Sequence, residues 1–452
     1  MILRKFTSTF FYDSKTILIL FLFISVSLII DTSLGIIPDF ITEFIVSLTG
    51  ISLFVFINLI TILGILWFQN FVSKDNTNII SKSKYLSNFL LLTKVINYIL
   101  IANLSIVIIS ILIFSRYSTI NLLITNNIMA IIGSIFLSIL AFKFIKWYIS
   151  DRTSIILLIY GFSFIIFAVS FFFGYFSENL YLLDKPLVIT PSIKVLYPLS
   201  DGDPFEFFYN IYAYLIAVSL FLFLVGSYIL LNNYLERVYR FRLIFTLVIS
   251  FFLYFIVKLD SFGIIETPNA DQSLIFYYII QNLGTVAGGA MIGYSFWNVG
   301  KRLGETNPIR KYLIMTSFGL VLIFIITQGT LIMTPFPPFG MSSLSFVIIS
   351  IYLFNFGLYA TAVSLSQDVK LRQTIKLKTK KNINLLSSIG KAQMTSELQR
   401  AISDVKTIVE KEEKELEEKT GIETSFSEQN IQDYMKQVLE EINRSNKRLK
   451  KT

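Results

Sequence analysis

The chain has no cysteine and no histidine in 452 residues. Disulfides, thiolate nucleophiles, Cys or His metal sites, His general bases and His phosphotransfer are therefore excluded. Charge is also scarce. Only 15% of the residues are Asp, Glu, Lys or Arg, against about 25% in an ordinary soluble domain. With 54% hydrophobic residues and a mean hydropathy of +0.67, the chain has too few charges to cover a globule in water. It reads as an integral membrane protein. The sequence has no Walker A pattern, no aspartate-rich prenyltransferase pair, no GxGD and no HExxH. No enzyme and no cofactor are expected.

The apolar character ends abruptly. Residues 1–366 have the composition of a transmembrane domain, whereas the 86 residues from Gln367 to Thr452 contain 18 Lys and Arg and 14 Asp and Glu. A spanning helix needs about 20 mostly apolar residues. Ten segments qualify: 16–33, 44–68, 90–113, 124–146, 153–173, 207–231, 243–258, 273–297, 312–333 and 344–366. The expected fold is an all-α, polytopic membrane protein of about ten helices with a cytoplasmic, amphipathic helical tail. Segments 16–33 and 243–258 are the shortest, each with about 15 uncharged residues between charges. At 1.5 Å per residue that is about 22 Å, short of a roughly 30 Å hydrocarbon core unless flanking Lys and Arg snorkel.

Orientation follows from Lys and Arg in the short loops. With the N-terminus inside, 16 basic residues fall on the cytoplasmic side and 4 outside. This puts both termini in the cytoplasm of a protein that crosses the cell membrane several times. Trp67, Trp147 and Trp297 fall at cytoplasmic helix ends in the same scheme, where indole rings favour the headgroup level. Asp31, Glu178 and Asp184 are assigned to outside loops. The loop Gly174–Glu206 carries Asp201-Gly202-Asp203, read as a solvated turn. The loop Thr334-Pro335-Phe336-Pro337-Pro338-Phe339-Gly340 is expected to rest on the outer interface.

The spans offer few ionisable groups, with Lys94 and Lys258 near helix ends. That weighs against charge-coupled transport. Neutral polar residues do occur: Asn58, Asn97, Asn103, Gln281, Asn282, Gln328 and Asn355. Interhelical hydrogen bonding accounts for them at about 0.6 kcal/mol each. The eighth segment is the most unusual. Gly284 and Gly288 are four apart, as are Gly289 and Gly293, and Gln281 and Asn282 precede them. Small residues at that spacing let helix backbones approach. The sharper alternative is a polar cavity beside a deformable helix. A five-plus-five inverted repeat would suit the parity, but interior Gly or Pro breaks at matching places are missing.

After the last span come Lys370, Arg372, Lys376, Lys378, Lys380 and Lys381, opposed only by Asp368. Six cations in residues 367–381 read as topology determinants or as contacts to anionic lipid headgroups, at about 1 kcal/mol each. No nucleic-acid partner is expected. Residues 382–452 carry two apolar seams. The first is Leu398, Ile402, Val405 and Val409; the second is Ile431, Met435, Val438 and Ile442. Glu428 stands three residues after Ser425, a capping box opening the second helix. Each seam is under about three heptads, so a hairpin around Gly421 or a short coiled coil fits, made with this chain itself or with a cytoplasmic protein.

The run Leu365-Ser-Gln-Asp-Val-Lys-Leu-Arg-Gln-Thr-Ile-Lys376 resembles the exit from the membrane half of multi-helix sensor proteins, whose final span continues into a signalling helix. The resemblance covers this layout and about a dozen residues. It departs from those sensors in having no His to phosphorylate and no room for a kinase domain. It implies a receptor-like membrane part without its own enzyme. The leading expectation is a non-enzymatic sensor- or scaffold-like protein acting through its tail. The alternatives are a permease or channel for a neutral or weakly polar solute, and a structural subunit of a membrane complex.

The orientation is checkable because the chain is naturally free of cysteine. A cysteine at Asn269 should react with an impermeant maleimide in intact cells, and one at Ser81 should not. Labelling at Ser81 before lysis would invert the topology.

Overall fold

The computed structural model describes residues 14–36, 48–75, 84–150, 152, 154–191, 204–232, 248, 271–302, 308–327, 336–367, 386, 388–397 and 403. Contacts divide the chain into two units, Met1–Gln393 and Met394–Thr452. Within the first unit the helices are α1 (Ser14–Ile36), α2 (Leu48–Asp75), α3 (Lys84–Phe114), α4 (Thr119–Ile128), α5 (Ser134–Ser150), α6 (Ile155–Leu183), α7 (Pro204–Asn232), α8 (Asp271–Arg302), α9 (Pro308–Ile326), α10 (Met341–Ser345) and α11 (Val347–Gln367). A π turn, Met129–Gly133, joins α4 to α5. The strands β1 (Tyr117–Ser118) and β2 (Val188–Ile189) are two residues each.

Among the described residues, eight helical segments are long and apolar enough to cross a bilayer. The fold is therefore all-α and the protein is a multi-pass membrane protein. Hydrocarbon cannot hydrogen-bond to a backbone, so helices that close their own N–H to C=O ladders are what such a sequence must form. Helix α8 matches the expected segment 273–297, while segment 243–258 falls almost wholly outside the described residues. Apolar side chains such as Ile19, Leu63, Phe142 and Phe162 stand exposed around the helices, which is the surface that lipid tails would cover.

One helix is different. The span Met341–Leu365 is 94% buried, whereas the windows for α1 to α7 are 39–56% buried. Helix α11 touches α2, α3, α5, α9 and the π turn. It is the axis around which the unit is built. Packing on all sides requires close backbones, and two glycines provide them. A Cβ on Gly319 of α9 would lie 2.4 Å from the backbone N of Phe354, and one on Gly357 of α11 would lie 2.5 Å from the carbonyl oxygen of Tyr312. Aromatic rings fill the next layer. Phe164 meets Phe144, Phe223 and Phe354 at centroid distances of 5.6, 4.7 and 5.1 Å.

The end where α10 begins is tied by polar contacts. Strands β1 and β2 pair antiparallel, Tyr117 opposite Ile189. The Thr119 N–H donates to the Leu187 carbonyl at 3.0 Å, and its hydroxyl donates to the carbonyl of Pro186. This clip satisfies backbone groups of both loops. Residues 336–340 do not rest on the interface as expected; they are buried. Phe339 meets Phe54 edge-on at 5.5 Å, and Phe336 stacks on Tyr117 at 6.1 Å. The reason is local. Gly340 adopts φ 94°, a conformation open to glycine at little cost, and Gly35 leaves room for the carbonyl of Phe339, which a Cβ there would approach to 2.9 Å.

Asp31 also departs from its expected outside loop. It lies in α1 and is buried. Its Oδ2 accepts from the Ser343 backbone N–H at 2.8 Å and from the Ser343 hydroxyl at 2.7 Å. A carboxylate at the start of a helix satisfies N–H groups that have no partner within the helix.

The close contact of α9 with α11 sets a test. Gly319→Ala should cost about 1–3 kcal/mol through overpacking and lower the melting temperature of the purified protein. Gly300→Ala, whose Cβ would sit 3.2 Å from Leu313 Cβ, should cost less. Equal melting temperatures for wild type and Gly319→Ala would show that α11 is not held by backbone approach.

Candidate functional site

Polar side chains collect in the half of the unit near the β clip. Helix α6 runs on to Leu183, so Glu178 belongs to a helix and not to the loop that the sequence suggested. It stands five residues before the helix end, about 8 Å along the axis, and is only 6% exposed. The correction has a simple cause. At 29 residues, α6 is about 43 Å long and outruns the roughly 30 Å hydrocarbon core, so its last two turns can carry polar groups.

Glu178 lines a cavity of about 20 Å³. Tyr175 and Phe171 contribute from α6, Tyr209 and Tyr212 from α7, and Thr327 from the end of α9. Gly174 completes the wall, and its missing side chain admits a ring. A Cβ there would stand 2.7 Å from Tyr212 Cδ2. The Tyr212 hydroxyl reaches the Thr327 carbonyl at 3.4 Å. Tyr209 and Tyr212 lie 5.9 Å apart, ring to ring, and Tyr175 meets Phe171 edge-on at 4.6 Å. The result is a carboxylate among three phenol rings.

A ladder of amides supports this wall from behind. Asn126 Nδ2 donates to the Tyr175 carbonyl at 2.9 Å and to Asn179 Oδ1 at 3.0 Å. Asn179 Nδ2 donates to Asn127 Oδ1 at 2.9 Å. One turn away, Asn103 Nδ2 donates to the Asn121 carbonyl at 2.8 Å and to Thr125 Oγ1 at 2.9 Å. Helices α3, α4 and α6 are thus stapled together just before the π turn. Gly133 ends that turn, and a Cβ on it would meet the Phe171 ring at 2.7 Å. Such π turns occur often at functional sites.

Beyond the span, the Lys185 ammonium lies 4.1 Å from the centre of the Tyr181 ring. Burial pulls its pKa below the usual lysine value, while the neighbouring Asp184 charge opposes that shift.

At the other end of the unit a second arrangement forms. Residues 388–393 are helical and return to the bundle. Leu386, Ile389 and Ala392 join the core. Trp147 Nε1 donates to Gln393 Oε1 at 3.0 Å. A Cβ on Gly390 would stand 2.7 Å from Leu365 Cβ, so this helix lies directly on the end of α11. Lys143 Nζ is 3.8 Å from the centre of the Tyr359 ring, linking α5 to α11 by a cation–π contact.

The residues singled out in the sequence fall variously. Gly284, Gly288, Gly289 and Gly293 are buried on α8. Cβ atoms on Gly289 and Gly293 would come within 2.1 Å of Phe324 Cβ and 2.3 Å of Val321 Cγ2, and the Ser317 hydroxyl donates to the Gly293 carbonyl at 2.7 Å. The side chains of Gln281 and Asn282 lie outside the described residues. So do Lys370, Arg372, Lys376, Lys378, Lys380 and Lys381, and Leu398, Ile402, Val405, Val409, Ile431, Met435, Val438 and Ile442. Glu178 and its tyrosines were not singled out as a site. The available signal was Tyr209 and Tyr212, three apart at the start of an apolar segment, a spacing that puts both on one helix face.

Comparison with family models, curated proteins and solved structures finds no match to the chain.

The amide ladder carries a stability test. Asn126→Leu removes two interhelical bonds at a buried position and should cost about 1–2 kcal/mol. Asn127→Leu removes one and should cost less. A larger loss in the second variant, read from thermal unfolding, would show that the ladder is not centred on Asn126.

Proposed function

We propose that the protein is a non-enzymatic, sensor-like membrane protein. A change at the β-clip end is passed along α11 to a cytoplasmic tail that docks a partner protein or a second copy of the chain. The observation that supports this reading is the continuity of α11. At one end it follows α10, which Asp31 caps through Ser343. At the other, Leu365 lies under Gly390 of the returning helix. A buried helix in contact with both ends has no surface of its own to slide against, so a shift at one end must be accommodated at the other.

In this reading both termini are cytoplasmic, the membrane is the cell membrane, and Lys370 to Lys381 contact anionic headgroups beside the docked helix. The seams of residues 398–449 then serve for pairing.

A permease is the second reading, and one observation favours it. For a permease or channel of a neutral or weakly polar solute, the supporting feature is the cavity lined by Glu178, Tyr175, Tyr209 and Tyr212.

Coupling between two sites is reciprocal, which gives the test. A fluorophore on a cysteine at Phe207, 63% exposed at the start of α7, reports the β-clip end. Gly390→Leu should displace the returning helix and change the emission of that reporter. An unchanged spectrum, with residues 388–397 newly open to protease, would mean that the two ends are independent and the relay reading fails.

A further inference from the structure

The cap that Asp31 places on α10 uses only one of its two oxygens. Oδ2 accepts from the Ser343 N–H at 2.8 Å and lies 2.7 Å from Ser343 Oγ. The Gly340 N–H also faces the carboxyl group. Oδ1 is buried and has no hydrogen-bond partner. The whole side chain is shut off from solvent.

No countercharge stands nearby among the described residues. The elements packed on α1 are α2, α8, α9 and α10. Phe54, near the start of α2, meets Phe339, so Lys74 and Asp75 of that helix lie about 30 Å further along it. Arg310, Lys311 and Tyr312 open α9, whose other end reaches the Tyr212 hydroxyl at Thr327. Residues 336–345 and the stretch of α8 from Gly284 to Met291 carry no ionisable side chain.

The hydrogens do not balance around an ionised group. Ser343 Oγ is within hydrogen-bond distance of two acceptors, Asp31 Oδ2 at 2.7 Å and the Leu28 carbonyl at 3.2 Å. A hydroxyl has one proton and serves one of them well. A further proton on Oδ2 completes the chain. Asp31 then donates to Ser343 Oγ, and the Ser343 hydroxyl donates to Leu28. Oδ2 keeps a lone pair for the Ser343 N–H. The same proton removes a charge that has no partner ion, and leaves Oδ1 a neutral carbonyl oxygen, which costs less to bury unpaired.

We propose that Asp31 and Ser343 form a proton-binding site. The bound proton joins α1 to α10. Its release leaves an uncompensated charge beneath the buried segment 336–345 and loosens that segment. The site goes beyond the relay reading and does not depend on it.

Infrared difference spectroscopy of the purified full-length protein at neutral pH tests for the proton. Wild type should show the C=O stretch of a protonated carboxylic acid that Asp31→Asn lacks. Ser343→Ala keeps the acid and removes its hydroxyl partner, so the band should persist and shift. Asparagine also mimics the protonated form, with Nδ2 donating to Ser343 Oγ and Oδ1 accepting the Ser343 N–H. Asp31→Asn should therefore melt no lower than wild type at neutral pH. The pH dependence has a fixed sign. The folded chain holds a proton that a free Asp side chain loses above about pH 4, so wild-type stability falls as pH rises. The lead of Asp31→Asn over wild type should widen with pH until the site empties. Absence of the acid band from wild type, or a deficit of Asp31→Asn that grows with pH, would make Asp31 an ionised cap and overturn the proposal. If Asp31→Asn fails to fold, the wild-type and Ser343→Ala spectra decide: a band that shifts supports the site, and one that does not shift overturns it.

Discussion

A helix with no free side is the constraint on which this structure depends. In lipid there is no hydrophobic force to press one apolar helix on another, so association rests on close packing and interhelical polar contacts. Helix α11 meets that demand with Gly357 against Tyr312 and Thr316, and by accepting Gly319 against Phe354. Once the backbones of α9 and α11 are in contact, the remaining helices arrange around them. The aromatic layer of Phe144, Phe164 and Phe223 follows as space-filling around that axis.

Burying α11 also creates a problem at its start. The backbone N–H groups of α10 and the loop before it come to lie in the interior, where unsatisfied donors are costly. Asp31 answers this from α1 through Ser343, and the pairing of β1 with β2 does the same for the neighbouring loops. The polar residues at this end thus divide into two groups. Asp31, Ser343 and the asparagine ladder close hydrogen bonds that the fold needs. Glu178 and the tyrosines line the cavity between α6 and α7, and that makes the second group the candidate site.

Much of the architecture was legible in residue order. Apolar runs of helical length marked the spans because a bilayer demands both properties together, and eight of the ten expected segments correspond to described helical segments long and apolar enough to cross a membrane. The boundaries were less legible. Segment 153–173 was cut short at Gly174 because Glu178 and Asn179 look like loop residues, yet α6 continues to Leu183. Asn179 is polar because it bonds Asn126 and Asn127, a fact held in partners about 50 residues away. Glycine spacing drew notice to α8, while the single glycines Gly319 and Gly357, without a repeat to advertise them, sit at the tightest backbone approach to the central helix.

The sequence by itself determined the class: a chain with so few charges and no histidine or cysteine belongs in a membrane and works without their chemistry. That conclusion needs only composition, since it concerns transfer between water and lipid. Tertiary structure alone decided which helix is central, that Asp31 caps a helix it is more than 300 residues away from, and that Glu178 shares a cavity with tyrosines of α7. These are relations between distant segments. Hydropathy cannot express them, because a helix facing lipid and a helix facing other helices are built from the same apolar residues.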